Sequence, residues 1–518
     1  MKKDKDKDIN FEDKLWKAAD KLRKKVEVHE YKYVVLGLIF LRYVSFAFEE
    51  RRKELEENFS DAKSKDYISS GKFREQALED RDYYLSQGIL YVPEKARWDY
   101  IVKNATQPNV GEILDKAVEL LEEEYPKQLK DVIPKIYTSI NLDSLDLAYL
   151  INTFSSIDFG EDHKKKDIFG RIYEYFLGKF AEAEGKKGGE FYTPRSLTGL
   201  IVKILDVKKG RIFDPACGSG GFFVCALEKM EREGLDKNTL SVSGQESKPM
   251  PWKLCKMNLA LRGAEGDIRI GDSYHDDKFF ELRADYVVSN PPFNDSGWGA
   301  DRVSRDDPRF KYGTPPDNNG NYAWIQHYIY HLSPGGKAGY VMANGALSGG
   351  NVEGEIRKKI IENDLVYGVI ACPPKLFYNV PLAVSLWFLR KSKPEHMRDK
   401  VLFVYAKKLF KPISRRQAIF TDEHIAKIVD KFRMFENGDF DKKINETGFA
   451  KVATLKDIEK NGFVLTPGRY VGIKLDEDET PFEEKMKGYS EEISSLLKEE
   501  EKLVRNVKEV FKALNFKV

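Results

Sequence analysis

The sequence contains little cysteine, almost no net charge and no hydrophobic run of membrane-spanning length. Its four cysteines show no CxxC spacing, which indicates a reduced cytoplasmic protein without a zinc site. Lys and Arg number 86 against 84 Asp and Glu, and the net charge of +2 does not by itself indicate a nucleic acid partner. Such a partner would need local basic patches. Candidates are residues 163–166, 208–211 and 407–408 with 415–416, although a solvated surface is the simpler interpretation of each.

No segment has the pattern of a membrane span or of a signal peptide. The longest apolar stretch, residues 33–48, is interrupted by Arg42 and is shorter than the roughly 20 residues needed to cross a bilayer. Residues 1–8 are almost all charged and contain no apolar signal core. We therefore expect residues 33–48 to form a buried helix in a cytoplasmic protein that has no membrane partner.

Hydrophobic patterning divides the chain into three regions. Residues 1–167 carry apolar side chains at helical spacing, which predicts an all-helical N-terminal domain. Residues 168–474 alternate apolar runs of strand length with amphipathic helices. This pattern predicts an α/β domain with a Rossmann-like, doubly wound sheet. Residues 475–518 predict a C-terminal helical tail.

The tail shows a heptad pattern. Its a and d positions, with Glu500 as the exception, are Ile493, Leu496, Leu503, Val507, Val510 and Leu514. Such a stripe is typical of a helix that packs on a partner helix. Docking on its own domain explains the pattern equally well, because three heptads are the minimum for a coiled coil.

Residues 285–293 place an amide side chain, two prolines and an aromatic ring at the end of an apolar strand. Proline lacks a backbone N–H, so Asn290, Pro291 and Pro292 offer carbonyl acceptors without competing donors. The Asn290 side-chain oxygen and a proline carbonyl could hold both hydrogens of a planar exocyclic amine, with Phe293 stacked on the ring that carries it. The alternative interpretation is an ordinary turn after a strand.

A glycine-rich turn follows an earlier predicted strand. After residues 211–214 the chain enters this turn and then a helical pattern at 223–232. Glycines allow the backbone to approach a ligand closely, and the N-terminus of the helix supplies free N–H groups. These features indicate a unit that cradles a nucleotide. Tight packing without a ligand is the alternative.

Two further predicted strands end at acidic residues. The strand at 240–244 leads to Glu246, whose carboxylate suits both hydroxyls of a ribose. The strand at 268–270 leads to Asp272, which could accept a hydrogen bond from the amine of a cofactor adenine. Exposed carboxylates are common, so each residue alone is weak evidence. Three strand ends in order, each with a polar group, favour a single cofactor site.

Taken together, these segments resemble the modification subunits of type I restriction-modification systems, which are S-adenosylmethionine-dependent adenine-N6 DNA methyltransferases. The resemblance covers most of the chain. It rests on residues 189–194, 214–223, 244–246 with 257–263, 290–293, 322–345 and 465–471. In this family the segment matching 189–194 helps to bind the cofactor, as do the glycine turn and the residue matching Glu246, and the segment matching 290–293 carries catalysis.

The predicted site combines these implied roles with the inferences from the residues. The predicted cofactor-binding set is Gly189, Glu190, Phe191, Tyr192, Thr193, Pro194, Asp214, Gly218, Ser219, Gly220, Gly221, Glu246 and Asp272. The predicted catalytic set is Asn290, Pro291, Pro292 and Phe293. Two roles stay open, since Asp214 either contacts the methionine amino group or caps the turn, and Tyr192 either packs on the cofactor or lies in the core.

The resemblance implies direct, in-line methyl transfer from S-adenosylmethionine to adenine N6 in double-stranded DNA, at a site that mainly positions the reactants. The target base must first be swung out of the duplex. No segment is left over to read a long DNA sequence. A separate specificity subunit is therefore the expected partner, with a second modification subunit and a restriction subunit as further candidates.

Three other interpretations have sequence features of their own. A protein glutamine methyltransferase uses a similar turn, but such enzymes resemble this chain only over the core. A catalytically idle, cofactor-sensing scaffold would not need the amine clamp. His327 and His331 lie one helical turn apart, but packing is favoured over a metal pair because no carboxylate or cysteine in the sequence pattern completes a site. We therefore expect no metal.

Overall fold

The structure, a computed structural model, describes residues 15–17, 20, 25–26, 28–156, 172, 175–180, 193–304, 306–377, 383–414, 417–441, 443–473 and 482–513. The chain divides into two compact units, Met1–Gly472 and Ile473–Val518. The predictions for residues 189–192, 163–166 and 415–416 lie outside the described residues.

The described part of the N-terminal region contains helices and no strand, as predicted. Its α-helices are α1 (Val28–Ser60), α2 (Gly71–Leu78), α3 (Asp82–Leu85), α4 (Trp98–Lys103), α5 (Val110–Glu124) and α6 (Ser144–Ser155). By length and composition Tyr31–Ser60 could cross a membrane, but 83% of its most apolar window is buried inside the protein. The prediction of a buried helix at residues 33–48 is confirmed.

The second region carries the sheet and the helices that cover it. Its strands are β1 (Gly210–Asp214), β2 (Leu240–Glu246), β3 (Gly266–Ile270), β4 (Ala284–Ser289), β5 (Leu332–Ala343), β6 (Val366–Ala371), β7 (Val384–Arg390), β8 (Lys400–Tyr405), β9 (Lys411–Pro412), β10 (Ala418–Ile419) and β11 (Ala450–Thr454). Its α-helices are α7 (Arg195–Leu205), α8 (Gly221–Arg232), α9 (Pro249–Ala260), α10 (Asn321–His331), α11 (Asn351–Glu362), α12 (Asp422–Asn437) and α13 (Leu455–Lys460). Short 3₁₀ turns occupy Glu94–Ala96, Lys237–Thr239, Ala300–Arg302, Pro308–Phe310, Asn344–Leu347, Glu395–Met397 and Pro467–Arg469.

Nine of these strands form one mixed sheet in the order β11-β8-β6-β7-β5-β4-β1-β2-β3. Strand β1 pairs in parallel with both β2 and β4, so the strand order reverses beside it. Strand β7 runs antiparallel between β5 and β6. The predicted doubly wound sheet is confirmed. In such sheets ligands bind outside the carboxyl ends of the strands at the point of reversal.

Alternating side chains of each strand feed two cores, one on each face of the sheet. Ile212 packs into the core formed with α7, α8, α9 and α12, whereas the adjacent Phe213 packs into the core formed with α10 and α11. The N-terminal helices bury their own core, which also takes in Leu254 and Met257 of α9. The helical region is thereby packed directly beside the carboxyl ends of β1 and β2.

The second compact unit consists of one long helix, α14 (Phe482–Ala513). The predicted tail helix is confirmed. Its exposed apolar side chains are Met486, Tyr489, Ile493, Leu496, Leu497, Leu503, Val504 and Val507. Four of the six predicted heptad residues are among them. The side chain of Val510, and Leu514, lie outside what the structure describes.

Candidate active site

A cavity of about 540 Å³ lies at the carboxyl ends of β1 to β4. It brings together the predicted residues Thr193, Asp214, Gly218, Ser219, Gly221, Glu246, Asp272, Asn290, Pro291 and Pro292. Strands β2 and β4 both run parallel to β1, so the turns after all three strands open at the same edge of the sheet. The sequence motifs therefore meet in one cavity large enough for a small cofactor.

The turn after β4 presents an unpaired acceptor to this cavity. The Asn290 Nδ2 donates to Thr193 Oγ1 at 2.9 Å. The Asn290 Oδ1 is buried and has no hydrogen-bond partner among the described residues. A buried polar atom without a partner is costly, so such an atom is evidence of a missing ligand. Pro291 and Pro292 line the cavity beside it.

The exit of this turn is fixed by a reciprocal amide pair. The backbone N–H of Asn294 donates to Asn321 Oδ1, and Asn321 Nδ2 donates to Asn294 Oδ1, both at 2.9 Å. Asn321 is fully buried at the start of α10, and Asn294 adopts a left-handed φ of 53°. The pair sets the direction of the chain immediately after Phe293.

Phe293 itself does not line the cavity. Its ring packs edge-on against Phe377, with centroids 6.2 Å apart and an interplanar angle of 88°. The predicted stacking of Phe293 on a base stays a prediction. Five other aromatic residues among those that the structure describes line the cavity and were not predicted as site residues: Phe180, Phe222, Tyr274, Trp298 and Trp324. Two of them had positions that could have indicated them, since Phe222 lies in the 214–223 segment and Trp298 in the loop directly after the catalytic turn.

The glycine turn uses much of its own hydrogen-bonding capacity. The N–H of Ala216 donates to Asp214 Oδ1 at 3.0 Å, and the N–H of Cys217 donates to the carbonyl of Gln245 at 3.0 Å. The N–H of Gly220 donates to the carbonyl of Cys217 at 2.8 Å. The turn therefore has fewer free backbone N–H groups for a ligand than the sequence predicted.

Gly218 and Gly220 both need to be glycine for their backbone conformations. Their φ angles are 52° and 81°, in the left-handed region. A Cβ on Gly220 would also lie 2.7 Å from Cys255 Sγ, whereas one on Gly218 would meet nothing within 4 Å. The turn is thus held closely against α9 at Gly220 and is open to the cavity at Gly218.

The acidic residues after β2 and β3 also organise their own turns. Glu246 Oε2 accepts from the N–H of Gly218 and Oε1 accepts from the N–H of Lys248, each at 2.9 Å. Asp272 Oδ1 accepts from the N–H of Tyr274 at 2.9 Å, and Oδ2 lies 2.8 Å from His275 Nδ1. Both carboxylates are held in fixed orientations at the cavity wall, with lone pairs left for a ligand.

Asp214 is the most deeply buried carboxyl group of the cavity, with 1% of its surface exposed. Burial raises its pKa from the ordinary 3.8 to about 8, and the nearby Glu246 carboxylate adds to the rise. The hydrogen bond from the Ala216 N–H opposes the shift and shows that Asp214 caps its turn. A cationic ligand group would favour the charged form of this carboxyl.

His327 and His331 have a carboxylate neighbour, contrary to the expectation from the sequence. A carboxylate does approach them, since Asp277 Oδ2 lies 3.0 Å from His331 Nε2 and the three groups lie within 4.8 Å of one another. Asp277 lies 50 and 54 positions before the two histidines, so no local spacing in the sequence indicated that it completes the cluster. Ring packing supports a structural role for His331, because the centroids of its ring and of the Phe213 ring lie 4.8 Å apart. That the cluster holds no metal stays a prediction.

The remaining predicted residues have simpler positions. Pro194 is buried and precedes α7. Within the basic patch at 208–211, Lys208 Nζ pairs with Asp206 at 2.8 Å and Arg211 Nε lies 3.6 Å from Asp285. These pairings support a solvated surface for that patch.

Comparisons with known proteins agree with this arrangement. The family model described as N-6 DNA methylase matches residues 164–479, and the one described as HsdM N-terminal domain matches residues 11–154. The MjaIX type I restriction enzyme methylase subunit of Methanocaldococcus jannaschii is 66% identical over 511 residues, covering 98% of this chain and 92% of the relative. The HindI type I restriction enzyme methylase subunit of Haemophilus influenzae is 41% identical over 404 residues, covering 76% of this chain and 88% of the relative.

A solved structure supports the same assignment over the whole fold. The type I restriction-modification methyltransferase subunit of Streptococcus thermophilus has a TM-score of 0.72 and 25% identity, and the match covers 90% of this chain and 99% of that one. The chain therefore belongs to the N-6 DNA methylase family and, within it, to the methylase subunits of type I restriction enzymes.

Proposed function

We propose that this chain transfers a methyl group from S-adenosylmethionine to N6 of an adenine in double-stranded DNA, as the modification subunit of a type I restriction-modification complex. The observation that carries the proposal is the buried, unpaired Oδ1 of Asn290, which lies in the same cavity as the glycine turn. Family membership favours the adenine amine over the side-chain amide of glutamine as the acceptor.

The amine clamp follows from the chemistry of the turn after β4. An aromatic amine is a weak nucleophile because its nitrogen lone pair is delocalised into the ring. Asn290 Oδ1 and the carbonyl of Pro291 accept one amine hydrogen each, which turns the lone pair towards the methyl donor. Because Thr193 holds Asn290 Nδ2, the amide presents its oxygen and not its nitrogen to the base. The site acts mainly by orientation.

The other half of the cavity fits the cofactor. S-adenosylmethionine supplies an electrophilic methyl group on a sulfonium. The Glu246 carboxylate is placed to accept from the ribose hydroxyls and Asp272 from the adenine amine, as both have lone pairs left at the wall. Asp214, Gly218, Ser219, Gly220 and Gly221 form the turn that approaches the methionine end. Residues 189–194 contribute to the same site, with Thr193 in direct contact with Asn290.

The target adenine reaches this site only after leaving the DNA helix, which costs a few kcal/mol of stacking and pairing. We propose that Phe293, whose ring contacts Phe377 in the structure, stacks on the base once the base is bound. Tyr274, Trp298 and Trp324 offer further aromatic surface at the cavity wall. The loop at 294–321 lies directly after the clamp and extends towards the DNA.

The assembly proposal rests on α14. Eight exposed apolar side chains on one helix are more than is usual for a surface that contacts only water, and they are typical of a helix that packs on another. We assign this helix to contact with a DNA-reading specificity subunit. A second modification subunit and a restriction subunit complete the proposed complex. The proposed domains are 1–167, 168–474 and 475–518, and the proposed location is the cytoplasm.

The test is methylation in a host that lacks N6-methyladenine. The chain is co-expressed with its specificity partner, and N6-methyladenine is mapped genome-wide for the parent, Asn290→Ala and Asn363→Ala. Asn363 is an exposed residue at the end of α11 and serves as the matched control. We expect one bipartite motif to be methylated by the parent and the control, and none by Asn290→Ala, with cofactor binding retained. Methylation by Asn290→Ala would refute the clamp, and an unmethylated genome with the parent would favour an idle scaffold.

A further inference from the structure

The first and last residues of the loop at 294–321 are joined by a reciprocal pair of amides. The backbone N–H of Asn294 donates to Asn321 Oδ1, and Asn321 Nδ2 donates to Asn294 Oδ1, each at 2.9 Å. A backbone N–H can only donate, so the Asn321 atom that faces it must be the side-chain oxygen. The main chain therefore fixes the orientation of the Asn321 amide.

Asn321 is buried for the sake of this pair and not for a ligand. It is fully buried at the start of α10, and its backbone N–H donates to Asn319 Oδ1 at 3.0 Å. Burying an amide is costly unless its groups are paired, and this contact pairs them. Asn321 does not line the cavity, so any effect that it has on the reactants must pass through Asn294.

Two backbone hydrogen bonds continue the connection behind the amide pair. The N–H of Gly320 donates to the carbonyl of Asp295, and the N–H of Gly297 donates to the carbonyl of Asp317, both at 2.8 Å. These bonds pair the beginning of the loop with its end. The chain that leaves the catalytic turn is thereby attached to the start of α10, which packs in the core below the sheet.

The catalytic turn is consequently held at both ends. Strand β4, between β5 and β1 in the sheet, fixes its entry, and the amide pair fixes its exit. Only Asn290, Pro291, Pro292 and Phe293 lie between these points, and the two prolines have restricted φ angles. Asn294 has a left-handed φ of 53°, which few residues other than glycine adopt. A change at Asn294 must therefore move the backbone of the turn.

We propose that Asn321 is a positioning residue for methyl transfer, which acts through Asn294 to place the Pro291 carbonyl that accepts from adenine N6. This inference rests on the proposed function and deepens it. Loss of the amide pair should slow the transfer step and leave the binding of S-adenosylmethionine unchanged, because neither asparagine lines the cofactor cavity.

The same helix supplies a matched control. Gln326 is fully buried in α10, its Oε1 accepts from the N–H of Tyr312 at 2.9 Å, and its Nε2 donates to the carbonyl of Gly313 at 2.8 Å. It does not line the cavity, and it holds the middle of the loop instead of the exit of the catalytic turn. Gln326→Glu and Asn321→Asp therefore make the same chemical change at equally buried amides.

The test is single-turnover methylation by the complex with the specificity partner, at saturating S-adenosylmethionine and saturating duplex that carries the motif methylated by the parent. Asn321→Asp keeps the acceptor of the pair and replaces its donor. Asn294→Gly, at an exposed position, keeps the left-handed φ and removes the other acceptor. Calorimetry measures cofactor affinity, and thermal unfolding reports whether each variant is folded.

We expect Asn321→Asp to slow methyl transfer by about ten- to a hundredfold, since a misplacement of reacting groups by about 1 Å has an effect of this size. Asn294→Gly should slow it less, because the N–H of residue 294 can still donate to Asn321. The double variant should be no slower than Asn321→Asp, because both changes break the same hydrogen bond. Gln326→Glu should transfer methyl within about threefold of the parent rate.

Two results would overturn the assignment of Asn321. One is a parental transfer rate in both Asn321→Asp and Asn294→Gly, or in Asn294→Gly alone if the buried change prevents folding. The other is an equal slowing by Asn321→Asp and Gln326→Glu. A parent complex that methylates no duplex would instead remove the proposed function, so the two failures are distinguishable.

Discussion

The two sides of the cavity differ in how far their polar groups are satisfied. On the cofactor side, the N–H groups of Ala216, Cys217 and Gly218 are paired within the protein, and Glu246 anchors the turn. On the base side, Asn290 has one amide group fixed by Thr193 and the other buried without a partner among the described residues. An unpaired buried acceptor costs about 1–3 kcal/mol. The base side thus keeps a destabilising feature that a donor-bearing substrate relieves.

The two sides are joined by Arg309, and its removal should give the largest effect on stability. Arg309 is 7% exposed, donates to the carbonyls of Ser273 and Tyr274 at 2.8 and 2.7 Å, and pairs with Asp307 at 2.6 Å. The hydroxyl of Ser273 in turn donates to the carbonyl of Pro215 at 2.6 Å. This chain of contacts connects the loop at 294–321 to the glycine turn.

Arg309→Met should lower the free energy of unfolding by about 3–5 kcal/mol, because it leaves the largely buried Asp307 carboxylate without its counter-ion and two carbonyls without their donor. Urea denaturation measures the change. Arg302→Met, an exposed arginine of the same loop, is the control and should cost less than about 0.5 kcal/mol. Similar losses in the two variants would show that the sides of the cavity are not coupled through Arg309.

The preorganisation of the cofactor side can be tested at its two glycines. Gly218→Ala meets only the backbone strain of a left-handed φ, about 1–2 kcal/mol. Gly220→Ala meets the same strain and a Cβ 2.7 Å from Cys255 Sγ, which adds about 1–3 kcal/mol of overpacking. In thermal unfolding, Gly220→Ala should therefore have a lower melting temperature than Gly218→Ala. The reverse order would mean that the turn adapts and is not rigid before the cofactor binds.

The parts of the site that the sequence predicted are those carried by short stretches of chain. The ends of β1, β2 and β4 each bear a motif within a few residues, and the parallel pairing of β1 with both neighbours follows from the α/β alternation. Helix α1 was predictable because residues 33–48 are mostly apolar, with Arg42 as their one charged residue. Local patterning was sufficient in each case.

The parts that the sequence did not predict depend on contacts between distant segments. Lys32 reaches the cavity from α1, and Trp324 from α10, although neither belongs to a motif that pointed there. Phe293 packs on Phe377, 84 positions away, a contact that no local pattern indicated. The partner of His331 is Asp277, and no helical or strand spacing relates the two. Packing in three dimensions decides these contacts.

Asp214 differs from the satisfied groups of the cofactor side because burial disfavours its charged form. The pH dependence of stability, compared between the parent and Asp214→Asn, tests this difference. Its folded-state pKa of about 8 lies above the ordinary 3.8. The folded chain therefore retains a proton that the unfolded chain loses. The stability that this proton contributes is fully present below about pH 4 and is lost as the pH rises towards 8, at up to about 1.4 kcal/mol per pH unit. In the Asn variant this slope should be absent.

Cofactor binding should reverse the balance at Asp214, because the sulfonium and the ammonium of S-adenosylmethionine favour the carboxylate over the acid. Binding near pH 7 should then release up to one proton, and affinity should rise with pH by at most about tenfold per unit until pH 8. Calorimetry in two buffers of different ionisation enthalpy measures the release, and Asp214→Asn should show none. Equal proton release by parent and variant would mean that Asp214 only caps its turn. The cofactor would then bind without a change in the charge of Asp214.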